Sequence, residues 1–319
     1  MEERSVTLQN GINDFAIGVD LGGTNIKVAV VSEDGRILER SVHETPKEAA
    51  CWGNTIRKRV RDIEDTRGAS ASWIGMAAPG LAARDALSIA SMSGKLRGLE
   101  GLNWTDLLQS SRPVPVLNDA QAALLGEHWV GAAGGYRDVV LLTLGTGVGG
   151  AVLAEGRLLK GQLGRAGHLG HISLNPDGAP DIVGTPGSLE QMIGNSTLAA
   201  RSGGRFTSTR QLVQAHLEAD AEATQIWLRS VYHLAAGLTS LINVLDPEVI
   251  ILGGGIAKAG PALFQPLDRF MDKLEWRPFG QSVRIIAAAL GDLAGALGAA
   301  YYAMNWSVED NEKLAESNR

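Results

Sequence analysis

The stretch best placed to carry chemistry is residues 113–130, PVPVLNDAQAALLGEHWV, where an apolar β-type run stops at Asn118-Asp119 and a helical pattern begins at once. A carboxylate at such a junction faces whatever lies beyond the strand end. The pair also has a plainer reading as a helix cap, because Asn and Asp accept from the orphan N–H groups of a first helical turn. Two glycine-rich turns elsewhere favour the chemical reading: Asp20-Leu21-Gly22-Gly23-Thr24-Asn25 and Gly145-Thr146-Gly147-Val148-Gly149-Gly150. Successive backbone N–H groups in tight turns form a concavity for anions, and threonine hydroxyls add donors. With Gly253-Gly254-Gly255 they suggest a bound nucleotide triphosphate. No G-x-x-x-x-G-K-[ST] phosphate loop occurs. Gly145, Gly147 and Gly150 satisfy G-x-G-x-x-G, but a dinucleotide site needs a helix to open at the third glycine, and here a second strand follows.

The elements that must position these residues follow from periodicity. Residues 15–19 (FAIGV) and 26–31 (IKVAVV) read as β-branched strands joined by the first glycine turn, and residues 139–144 (VVLLTL) and 151–154 flank the second. FAIGVDLGGTNIKVAVVSEDGRIL and VVLLTLGTGVGGAVLAEGRLL share an order of strand, Gly/Thr turn, strand, acid-Gly-Arg turn and Leu, which reads as an internal duplication. A helix over 46–67 with Ile56, Val60 and Ile63 on one face precedes a strand at 72–77 closed by Ala78-Pro79-Gly80. Residues 161–190 form a long loop rich in Gly, His and Asp, entering a helix near Ser188. Helices follow over 208–219 and 222–245, the latter carrying Leu234, Leu238, Leu241, Ile242 and Leu245, then a strand at 247–252 and helices at 261–275 and 293–306. Residues 1–13 read as a loose leader, and the tail after Ser307 as frayed.

Composition bounds the class. A chain of 319 residues with 45% hydrophobic and 20% charged content has room for two ordinary domains. A net charge of -6 argues against a polyanion partner such as nucleic acid. The one basic run, Arg57-Lys58-Arg59 with Arg61, is followed by Asp62, Glu64 and Asp65 and reads as a solvated helix face. A single cysteine, Cys51, excludes an internal disulfide and any multi-cysteine metal site and fits a cytoplasmic home. No window reaches the length of a membrane span, and the N-terminus has no apolar signal core.

On these motifs the chain resembles the ROK family (repressors, open reading frames and sugar kinases) of the actin/hexokinase-like ATPases. The resemblance runs from about Ile17 to Met304. It rests on the turn from Asp20 to Lys27, Ala78-Pro79-Gly80, Asn118-Asp119-Ala120 with Gly126-Glu127, and the turn from Leu144 to Gly150. Gly170-His171, Ser188-Leu189-Glu190 and the segment from Asp246-Pro247-Glu248 to Gly253-Gly254-Gly255 complete it. It implies an α/β fold of two duplicated RNase-H-like domains around a cleft. Residues 1–118, completed by the C-terminal helix at about 297–319, would form the small domain, and residues 119–296 the larger one. It implies ATP on Gly22, Gly23, Thr24, Asn25, Lys27, Gly145, Thr146, Gly147, Gly253 and Gly254, and Mg²⁺ positioned by Asp20 through water. Asp119 would be the base taking the proton of a hexose 6-hydroxyl, with Gly80, Asn118, His168, His171 and Glu190 around the sugar. Lys27 also has a reading as a solvated strand charge, His171 as a loop-stabilising histidine and Glu190 as a carboxylate favoured by a helix dipole.

Two departures stand out. The family carries a Glu two residues before the Gly-His pair and a C-x-C-G-x-x-G-C zinc loop; here the Glu position is His168, and the cysteine positions are Asp181, Val183 and Ser188. Zinc takes about four N, S or O ligands, so no structural zinc is expected. His168-x-x-His171 with Asp177 or Asp181 is an alternative metal set. The sugar contact near Ser93-Gly94-Lys95 departs from the Asn common in the family. The activity implied is glucokinase-like, with N-acetylmannosamine or N-acetylglucosamine kinase as the alternative acceptor classes, and a homodimer as the assembly. A catalytically impaired sugar sensor is a third reading. A repressor is disfavoured because only about sixteen residues precede the first core strand, too few for a helix-turn-helix.

Overall fold

The structure, a computed structural model, describes residues 14–46, 51–92, 96 and 98–307. β1 (Ala16–Leu21), β2 (Asn25–Val31) and β3 (Ile37–Glu44) form an antiparallel meander. α1 (Cys51–Arg67) crosses to β4 (Trp73–Ala78), parallel to β1. The short pair β5 (Leu81–Ala82) and β6 (Ile89–Ser91), with α2 (Trp104–Leu108), leads to β7 (Val116–Asn118), parallel to β4. The sheet order is β3-β2-β1-β4-β7.

α3 (Asp119–Val130) leaves β7 directly, and a second sheet follows from β8 (Val139–Leu144), β9 (Val148–Ala154) and β10 (Arg157–Leu158). After α4 (Leu189–Ile193), α5 (Leu198–Arg201), α6 (Thr209–Leu217) and α7 (Ala221–Leu245) come β11 (Val249–Gly253), α8 (Gly254–Ala257), α9 (Pro261–Leu274), β12 (Arg284–Ala287) and α10 (Ala294–Asn305). The order is β10-β9-β8-β11-β12, with β9 antiparallel and β11 parallel to β8. The two sheets thus repeat one topology, and each glycine turn is the first hairpin of its copy.

α1 is described from Cys51, and the leader before residue 14 and the tail after 307 lie outside the described residues. β12 was not expected, and β3 was implied only by the hairpin turn at residues 32–35, without bounds. β3, ILERSVHE, is a charged sheet edge with no buried residue, so it lacks the alternation of a half-buried strand. β12 has only four residues, none buried. The basic run of α1 is less solvated than its charge implied: Arg59 pairs with Glu39 and Arg61 reaches Gln109.

Two cores flank the sheets. Ile56, Val60 and Ile63 of α1 bury against Ile17, Val19 and Val28, and Trp227, Leu234 and Leu238 of α7 against Val140, Leu142 and Ile250. α3 and α10 lie between, in a cluster holding Leu117, Ala122, Leu124, Leu141, Ile251 and Ala299. α10 is apolar on nearly every side and buried from Ala294 to Ala300, as a helix enclosed by protein must be. Although last in sequence, it rests on β1 and on α3 at backbone contact: a Cβ on Gly18 would lie 1.8 Å from Ala296 O, and one on Gly298 1.7 Å from Ala122 O. Among the described residues no helix is long and apolar enough to cross a membrane.

Candidate functional site

The helix-cap reading of the Asn118-Asp119 junction holds at its first residue. Asn118 is the cap: its Oδ1 accepts from Ala120 N–H at 3.0 Å, while its Nδ2 donates to Gly80 O at 3.0 Å. Gly80 has φ +105°, and a Cβ there would lie 2.6 Å from Ser91 O, so the position takes only glycine. Asp119 opens α3, and solvent reaches its side chain although protein surrounds it on most sides. That crowding, and then the charge of Asp20, push its carboxyl up to about 6, against hydrogen bonds from Ala120 N–H and Asn118.

Asp20 stands opposite Lys27 across the β1–β2 ladder, with Lys27 Nζ 3.4 Å from its Oδ2. Burial raises its carboxyl above the ordinary value, Lys27 opposes this, and Asp292 adds to it. Its back is against α10, where a Cβ on Gly295 would lie 2.9 Å from Asp20 Cγ. The turn that follows is closed by Gly22 N–H donating to Asn25 O at 3.0 Å. Thr45 anchors it, its Oγ1 donating to Gly22 O and its N–H to Thr24 O, both at 2.8 Å. Gly23, Thr24 and Asn25 are left exposed at the tip.

The second turn is built alike. Gly145 N–H donates to Gly147 O at 2.9 Å, and Asn195 and Ser196 donate N–H groups to Gly145 O (3.0 Å) and Thr146 O (2.9 Å). Gly254 (φ +84°) backs so closely on β8 that a Cβ would lie 2.4 Å from Leu144 O. Turn two and the Gly253-Gly254-Gly255 segment therefore meet, and a cavity of about 580 Å³ opens beside them, lined by Gly145, Gly255, Ile256, Lys258, Thr209 and Val213. The α6 wall was not foreseen, the sequence giving only a helix over 208–219; Thr209 at its start donates to Asn195 Oδ1 through both N–H (2.6 Å) and Oγ1 (3.0 Å).

Glu190, in the first turn of α4, accepts from Val148 N–H at 2.9 Å and so joins α4 to turn two. His171 Nδ1 lies 2.7 Å from Asp181 Oδ2. His168 presents a buried Nδ1 with no hydrogen-bond partner, and burial keeps its imidazole below the usual histidine value, with a backbone bond to Arg165 opposing. At the zinc-loop positions, Val183 offers no ligand atom and the oxygens of Asp181 are engaged by His171, Val183 N–H and Thr185 N–H. The residues present do not fit a four-ligand zinc site. Among the described residues no group of three or more His, Cys, Asp or Glu is placed to hold a metal, His168, His171 and Asp177 included. Residues 93–95 lie outside the described residues.

The model of the ROK family matches residues 16–305. The chain is 34% identical over 304 residues to the glucokinase of Thermotoga maritima, covering 89% of this chain and 95% of that one. It is 30% identical over 293 residues to the N-acetylmannosamine kinase of Shigella boydii, covering 90% and 97%. The solved structure of a ROK family glucokinase from Streptomyces griseus in complex with glucose and AMPPNP is similar with a TM-score of 0.77 at 29% identity, covering 92% of this chain and 100% of that one.

Proposed function

The chain belongs to the ROK family and has its actin/hexokinase-like fold, and from that premise we propose that it is an ATP-dependent hexose kinase, moving the γ-phosphate of ATP to the 6-hydroxyl of a hexose, with glucose the default acceptor. The observation that carries the reading is Asp119, a carboxylate open to the cleft at a helix start, with a proton affinity near neutrality. A general base is most effective when its pKa lies near the working pH. Phosphoryl transfer passes through a loose transition state, so alignment and charge neutralisation supply most of the acceleration.

In this reading Asp119 orients the 6-hydroxyl and takes its proton, while Asn118 holds Gly80 and, with His168, His171 and Glu190, receives ring hydroxyls. Gly22, Gly23, Thr24, Asn25 and Lys27 face the phosphates from one sheet and Gly145, Thr146 and Gly147 from the other. Gly253 and Gly254 lead into Gly255, which lines the cavity taken as the adenosine site, and the apolar wall of Val213 and Ile256 in that cavity suits a base. Asp20, a carboxylate balanced among the described residues only by Lys27 at 3.4 Å, fits a Mg²⁺ held through water and phosphate oxygens; when bound, the ion neutralises phosphate charge.

The domain division we propose is residues 1–118 completed by about 297–319, and residues 119–296, closing on each other around sugar. We place the protein in the cytoplasm as a homodimer. An N-acetylhexosamine acceptor is the second reading, favoured by the similarity to an N-acetylmannosamine kinase. A coupled ADP-release assay with Mg-ATP over hexoses and N-acetylhexosamines separates them. Turnover on one sugar that vanishes in Asp119→Ala supports the kinase reading; no turnover on any sugar with ATP binding intact favours the sensor.

A further inference from the structure

The loop between β10 and α4 is organised around one carboxylate. The side chain of Asp181 is wholly shielded from solvent, with His171 beside it only partly so. Its Oδ1 accepts from the N–H groups of Val183 (3.0 Å) and Thr185 (2.9 Å), and its Oδ2 lies 2.7 Å from His171 Nδ1. Its own N–H donates to Thr185 O at 2.9 Å, which closes the turn on itself. Burial opposes ionisation, but the hydrogen bonds from His171, Ser188, Thr185 and Val183 prevail and hold the carboxyl below its ordinary value. An ionised carboxylate can only accept. His171 Nδ1 therefore carries the proton, and with a single ring proton the Nε2 lone pair is left as an acceptor.

We propose that Asp181 is a positioning residue that takes over the work of a structural metal: it fixes the angle and tautomer of His171 so that Nε2 accepts from a substrate hydroxyl, and it holds the 181–185 turn by hydrogen bonds alone. A carboxylate that receives one ring N–H and thereby sets the other nitrogen is a general way of orienting imidazole. The donor set excludes the metal route, since Val183 is aliphatic and the only cysteine, Cys51, lies in α1 on the other sheet. Only the identity of the hydroxyl rests on the sugar-kinase reading; the tautomer and the zinc-free turn do not.

The test is nitrogen NMR of the full chain labelled at histidine, for wild type and Asp181→Asn, with His171 assigned by the signal lost in His171→Gln. The wild type should show Nδ1 protonated and Nε2 bare, unchanged by excess chelator, with no stoichiometric zinc in the purified protein. Asparagine has one acceptor oxygen where three N–H groups need two, so Asp181→Asn should mix the tautomers and raise the sugar KM about tenfold or more, with kcat within about threefold. Bound zinc, a chelator-induced shift of the His171 signals, a wild-type Nε2–H tautomer, or a folded Asp181→Asn with unchanged spectrum and KM would each overturn the proposal. If Asp181→Asn fails to fold, the wild-type spectrum and zinc content decide. If no sugar is phosphorylated, the kinase reading fails alone, and these two measurements still judge Asp181.

Discussion

Gly147 and Glu190 stand so close that a Cβ on the glycine would lie 2.2 Å from Glu190 Oε2, the oxygen that accepts from Val148 N–H at 2.9 Å. One carboxylate therefore braces the turn proposed to hold phosphate, from the helix also proposed to face the sugar. Gly147→Ala should displace Glu190 and raise the KM of ATP and of sugar together, each by about tenfold, a cost of roughly 1.4 kcal/mol. A rise confined to ATP would refute the bracing role.

Asp119→Ala should lower kcat by about 10²–10⁴ while sugar affinity changes only a few-fold, because proton transfer and acceptor alignment matter mainly in the transition state. Steady-state rates and calorimetric titration with sugar check this together. A variant retaining more than a tenth of wild-type kcat would remove Asp119 from the chemistry.

The base must be unprotonated, so kcat/KM should fall with decreasing pH through an inflection near 6, approaching tenfold per unit below it. Desolvation is the larger cause of that elevated value and the charge of Asp20 the second, so the residual activity of Asp20→Asn should show its inflection at lower pH. An inflection that does not move would mean that the two carboxylates do not sense each other.

The same elevation has a stability consequence of opposite sign. Asp119 binds its proton more tightly folded than unfolded, so its contribution is fully present below the ordinary value of 3.8 and is lost as pH rises through about 6. Asp119→Asn should therefore be more stable than wild type at pH 7 by about 1 kcal/mol, the full shift being discounted because cleft water screens the group. The advantage should vanish below pH 4 in denaturant titrations, and a less stable variant at pH 7 would contradict the assignment.

Glu127 is completely buried in α3 and accepts from Ala132 N–H (2.7 Å) and Ala289 N–H (3.1 Å) at Oε2 and from Leu290 N–H (2.8 Å) at Oε1. It ties α3 to the approach to α10. Glu127→Ala strands three donors at about 1–3 kcal/mol each, so a loss of at least about 3 kcal/mol is expected. Thermal unfolding measures it, and a shift of a degree or two would show that water replaces the carboxylate.

What the sequence determined by itself was local. The two glycine turns, the β-branched runs beside them, the Asn118-Asp119 junction and the apolar face of α7 were legible because each signal lies within one turn, one strand or one helix. The bounds of the edge strands β3 and β12 were not, because an edge strand with no buried residue carries no alternation. Tertiary structure alone decided that Thr45 anchors Gly22, that α6 walls the cavity beside Gly145, and that Asp181 Oδ2 lies 2.7 Å from His171 Nδ1. It also decided the proton affinity of Asp119, since desolvation and the field of Asp20 exist only when segments distant in sequence enclose one cleft.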